Sequence, residues 1–158
     1  MQTGFSHLQS RIRLCTACAG LLLSVLGATA ATAGKVFEQA GLAIRGYDPV
    51  AYFTEQRAVE GSPGITQEWG GATWQFASSA NRDRFVADPE RFAPQYGGHC
   101  AYAAANNYIA PTDPQAWTVH NDRLYLNFSK SVRARWKKDI GGNIARGDQH
   151  WPQLMQER

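Results

Sequence analysis

A run of fourteen small and apolar residues, Leu14 to Gly27 (LCTACAGLLLSVLG), constrains this chain most, because it governs how much sequence is left to fold. Before it stand Arg11 and Arg13 with no acidic residue, and after it comes ATAATA at Ala28 to Ala33. A positive leader, an apolar core and small residues at a cleavage point are the order of a secretory signal peptide. The run is shorter than the roughly 20 residues that cross a bilayer. Cys15 and Cys18 lie at its start, whereas a lipid-bearing cysteine would follow it, and the two arginines are not adjacent as a twin-arginine signal requires. Cleavage is expected after Ala33, with Ala30 as the second position. The expectation is a chain exported across the inner membrane to the periplasm, with no stable membrane anchor once residues 1–33 are removed.

Cleavage changes the arithmetic. Removing 33 of 158 residues leaves 125, one domain's length. Two arginines and no acids go with the leader, so 16 basic residues become 14 against 13 acidic ones. That near balance offers no clustered basic face for nucleic acid. Only Cys100 survives of the three cysteines, which excludes an intramolecular disulfide and a multi-cysteine zinc site in the mature chain. All five tryptophans remain, enough aromatic mass for a core without staples.

The pattern predicts a short leader over Gly34 to Ala43, then the Gly46-Tyr47-Asp48-Pro49 turn running into VAYF as a short strand. Ile65 to Trp69 and Thr73 to Ala77 alternate around Gly70-Gly71, a hairpin signal. Ser78 or Ser79 caps a helix over Ala80 to Ala87 with Phe85 and Val86 inward, and Pro89 opens a further turn to Phe92. Cys100 to Ala105 is rich in helix formers. Trp117 to His120 and Leu124 to Phe128 alternate around Asn121-Asp122 as a second hairpin. A helix over Lys130 to Ile140 places Val132 and Trp136 on one face, with Gly141-Gly142 as its stop. A last short helix runs from Asn143 to Trp151 and is stopped by Pro152. Strand pairs punctuated by helices, without βαβ alternation, define an α+β fold with two β-hairpins and several short helices.

The stretch TWQFASSANRDRFVADPERFAPQYGG resembles the YHS domain, a small metal-module scaffold related to treble-clef-like domains found beside copper ATPases and in diiron monooxygenases. Trp74, Phe76, Ser78, Phe85, Asp88, Pro89 and Phe92 carry the match. GYDPVAYF, the YGG-x-CAY segment and the IARGDQHWP tail extend it to a secreted subfamily, with the YHS-like domain spanning residues 44–152. Metal-binding members hold two cysteines four residues apart around the serine. Here Ala77 and Asn81 stand at those positions, so the soft-metal thiolate pair is gone. What the resemblance implies is the scaffold and the extracytoplasmic setting.

Chemistry could reside in three places. Cys100 follows Gly97-Gly98-His99 at the start of a helix, where unpaired amide N–H groups favour thiolate and a protonated His99 would add to the effect. It also reads as a small buried core residue, and less readily as one half of an intermolecular disulfide. His99, His120 and His150, with Cys100, are types that suit Cu(I) or Zn(II), although no ligand spacing joins them and side chains adjacent on a helix diverge by about 100°. Tyr47, Asp48, Tyr52, Tyr96, Tyr102 and Trp117 form a candidate cleft, or else a turn with aromatic packing. No nucleophile elbow, P-loop or dinucleotide fingerprint occurs. The expectation is a small binding or accessory module, handling metal (copper or zinc) or thiol redox through Cys100 with His99 and His120, and a protein or metal partner. The alternative is a structural or protein-interaction domain with Cys100 in its core.

Overall fold

The structure, a computed structural model, describes residues Val36–Gln156; the expected signal segment lies outside the described residues. The fold is α+β. A four-stranded sheet has the order β1-β2-β4-β3, from β1 (Glu38–Gln39), β2 (Leu42–Ala43), β3 (Ser62–Trp69) and β4 (Ala72–Phe76). A separate antiparallel pair joins β5 (Asp113–His120) to β6 (Arg123–Asn127). Both expected hairpins are present. Gly70 and Gly71 close the first with φ of 63° and 79°, and Asn121 and Asp122 close the second with φ of 50° and 57°, the left-handed pair that suits a tight two-residue turn. No helix among the described residues is long and apolar enough to cross a membrane.

The helices are α1 (Ala51–Thr54), α2 (Ser79–Ala87), α3 (Pro89–Phe92), α4 (Ala101–Ala105), α5 (Lys130–Trp136) and α6 (Ile140–Gln156). Ser78, Asp88 and Ser129 cap α2, α3 and α5 by accepting from the amides of Asn81, Arg91 and Val132.

Five expectations are corrected. VAYF is helical rather than extended, because Asp48 Oδ1 accepts from the amides of Val50 and Ala51 and turns the chain into α1. The leader is no loose segment where it is described: β1 and β2 pair, and β2 runs parallel to β4 at Leu42 and Thr73. Val86 faces solvent at 53% exposure, one helical step from buried Phe85. Gly141-Gly142 does not end a helix but opens α6, since Asp139 Oδ1 accepts from Gly142 N at 3.0 Å and caps it. Pro152 does not stop that helix, which continues through it to Gln156.

Two buried clusters result. The larger gathers Val50, Tyr52, Trp74, Phe76, Phe85, Leu124 and Leu126 between the sheet, α2 and β6. The smaller gathers Tyr96, Ala101, Ala104, Tyr125 and Trp136, with Ile140, Ile144 and Trp151 packed against it, where α6 lies on α4. The rings of Trp69, Trp74 and Phe85, two pairs tilted and Trp69–Phe85 edge-to-face, give the first cluster its edge, with centroids 5.2 to 6.0 Å apart.

Candidate functional site

Cys100 is the residue on which the expected chemistry turns. It is the N-cap of α4, in extended conformation, and is 2% exposed. Its amide donates to the Ala110 carbonyl, and its sulfur accepts from the amide of Phe128 at 3.3 Å and lies 3.9 Å from Asn127 Oδ1. The same Asn127 oxygen accepts from Tyr102 N. The thiol thus ties the start of α4 to the end of β6. His99 precedes it, also extended, so the two side chains leave the chain on opposite sides. The imidazole packs between Phe37 and Trp151, with centroids 5.6 and 5.7 Å away.

The other histidines stand apart. His120 ends β5 opposite Arg123, and His150 Nδ1 lies 3.2 Å from the Ala104 carbonyl. Among the described residues no three His, Cys, Asp or Glu side chains form a group that could hold a metal ion.

Ala77 and Asn81 have a common partner. Asp48 Oδ2 accepts from Ala77 N at 2.9 Å and Asn81 Nδ2 at 2.7 Å, while its Oδ1 serves Val50 and Ala51. Asp48 is fully buried. Four donors on one carboxylate make a closed polar junction between α1, β4 and α2.

The expected tyrosine cleft divides between the two clusters. Tyr52 packs on Trp117 at 5.4 Å and donates to the Pro114 carbonyl, and Tyr47 reaches Glu60. Tyr96 and Tyr102 belong with the second cluster instead.

Tyr96 does line a cleft, in different company. A cavity of about 410 Å³ lies between the end of β3, the Pro94–Tyr96 turn and α6, with Trp69, Tyr96, Trp151, Glu90 and Asp148 in its wall. A smaller chamber of about 110 Å³ shares Trp69, Pro94 and Trp151 with it and adds Trp74. Asp148 and Trp151 are three residues apart and so share a face of α6. Tyr96 adopts φ of 56°, a strained conformation for a residue with a side chain. It is held there by donating to Asp148 Oδ1 at 3.0 Å and the Ile144 carbonyl at 3.3 Å. Gly147 permits this approach: a Cβ there would stand 2.6 Å from the Tyr96 oxygen. Burial, then the Asp148 charge, pushes the Tyr96 phenol well above its ordinary range, so it stays a donor.

Among the described residues neither Asp148 nor Glu90 has a cationic partner, whereas four other acidic residues do. Trp69, Trp151, Asp148 and Glu90 are not among the site residues that the sequence predicts. The only sequence signals were the tryptophan density and the Asp148-to-Trp151 spacing.

The fold and this cleft define a small α+β domain with an aromatic-walled, acid-rimmed pocket. No family model, curated protein or solved structure matches the chain.

Proposed function

We propose that this chain is an extracytoplasmic, non-catalytic binding module whose ligand enters the cleft walled by Trp69, Tyr96 and Trp151, and that Cys100 is a core residue. The observation that carries the reading is the pair of neighbouring cavities with shared aromatic walls, rimmed by two carboxylates that form no ion pair among the described residues. Concave, mostly apolar pockets with a few placed polar groups are where small ligands bind. The competing role, metal handling or thiol redox through Cys100, needs a sulfur that reaches solvent. This sulfur is buried and already accepts a backbone amide.

The test sets Trp151→Ala against Cys100→Ser in a screen of small aromatic, cationic and anionic fragments, read by thermal shift. Loss of fragment binding in Trp151→Ala, with binding kept in Cys100→Ser, is the expected result. In parallel, iodoacetamide should label native Cys100 at least 100-fold more slowly than the unfolded chain. Rapid native labelling, or Cu(I) or Zn(II) binding abolished by Cys100→Ser, would return the function to the thiol.

A further inference from the structure

We propose that the cleft selects an organic cation, an alkylated ammonium group, through Trp69 and Trp151 together with the carboxylates of Asp148 and Glu90. This inference rests on the cleft being the ligand site and adds the ligand's chemical class.

Charge comes first. Of the titratable groups in the walls of the two cavities, Glu90 and Asp148 are acidic and Tyr96 is a phenol held neutral; no Lys or Arg lines either cavity among the described residues. An anion would meet two carboxylates with no basic side chain in the walls.

The kind of cation follows from the walls. A primary ammonium keeps a tight hydration shell and needs several acceptors to replace it. The inner chamber offers two partly open indole rings, Trp69 and Trp151, with buried Trp74 behind them and Val36, Ala93, Pro94 and Gly97 around them, and holds no charged side chain. Its volume of about 110 Å³ is far above the roughly 10–15 Å³ that admits one water, and the wall has few groups to bind water well. A weakly hydrated head with methyl groups on nitrogen suits such a space. Indole is the strongest aromatic partner for a cation, worth about 0.5–2 kcal/mol per ring as desolvation increases. Rings already tilted against neighbours cost little further ordering: Trp69 against Trp74 at 6.0 Å and 58°, Trp151 against Tyr96 at 5.7 Å and 60°. Asp148 is fixed by the Tyr96 hydroxyl, which leaves its second oxygen for the ligand.

The other large cavity has no such chemistry. It is lined by Phe37, Glu38, His99 and Ile109 and contains no tryptophan.

The experiment titrates the chain in its processed form with choline and with 3,3-dimethylbutan-1-ol, its neutral isostere, following tryptophan fluorescence and calorimetry. Choline is expected to bind at least tenfold more tightly than the alcohol. Raised NaCl should weaken it, because the attraction is between charges partly open to solvent. The double variant Glu90→Gln/Asp148→Asn should lose the preference while keeping the native near-ultraviolet spectrum. Should that variant not fold, the salt dependence and the choline-to-alcohol ratio of the unaltered protein decide alone. Equal binding of the two compounds overturns the cation inference and leaves the cleft as a ligand site. Binding by neither, with other fragments still blocked by Trp151→Ala, does the same. Failure of every fragment removes both readings.

Discussion

Asp48 and Asp148 are both carboxylates set among aromatic side chains, and the fold treats them in opposite ways. Asp48 is fully buried and takes four hydrogen bonds from three elements, so nothing is left to offer a ligand. Asp148 is exposed and takes a single tyrosine hydroxyl, beside a cavity and without an ion pair among the described residues. Each satisfies the rule that polar groups seek partners, but only one finds them all within the chain. Cys100 shares the geometry of Asp48: it is buried and bonded within the chain. What distinguishes a structural residue from a ligand-facing one here is how far its bonding capacity is already used.

The comparison can be broken most severely at Asp48. Asp48→Ala leaves buried donors on Val50, Ala51 and Asn81, and a half-buried one on Ala77, without their acceptor. At about 1–3 kcal/mol for each buried orphan, the loss should be on the order of 4 kcal/mol or more, a large share of a small domain's stability. Urea unfolding measures it, and a cost below about 1 kcal/mol would show that water replaces the carboxylate and that the junction is not closed.

A milder test is alkaline titration. Burial, as the leading cause, raises the phenols of Tyr52, Tyr96 and Tyr125 above the ordinary tyrosine value. The folded chain then holds these protons more tightly than the unfolded chain does. Their contribution to stability is whole below about pH 10 and is lost as pH rises through and above it. Phenolate absorbance from these three should emerge together with unfolding. Their ionisation in a still-folded protein would contradict the packing of both clusters.

The smallest expected effect is at the open end of the comparison. Tyr96→Phe removes the bonds to Asp148 and Ile144 and should cost about 1 kcal/mol, since Asp148 already faces water. The same variant should weaken fragment binding, because Asp148 loses the hydroxyl that orients it. Unchanged binding would exclude that positioning role.

Much of the framework was legible from short-range chemistry. Gly70-Gly71 and Asn121-Asp122 marked both hairpins because left-handed φ at two successive positions is required there. Ser78 was readable as a cap for the same local reason. VAYF misled because its β-branched and aromatic residues favour a strand, while one side chain two residues earlier, Asp48, supplies the bonds that start a helix. Gly141-Gly142 misled because glycine at a helix start and glycine past a helix end look alike until Asp139 is seen capping Gly142.

The site was harder to read. Trp69 lies 82 positions before Trp151, and they meet at one cavity only because α6 lies across α4 and the Tyr96 turn. Cys100 attracted the functional reading because a thiol before a helix is a local signal. Its saturation by Phe128 and Asn127 is a long-range fact that no spacing displays.

The most direct test of the account uses the five indole N–H signals of a nitrogen-labelled sample as independent reporters. Addition of a binding fragment should move Trp69, Trp74 and Trp151, which line the cavities, and leave Trp117 and Trp136 in place. Shifts confined to Trp117 and Trp136, or to the amides of Cys100 and Phe128, would place the ligand elsewhere and contradict the division between a spent core and an open cleft.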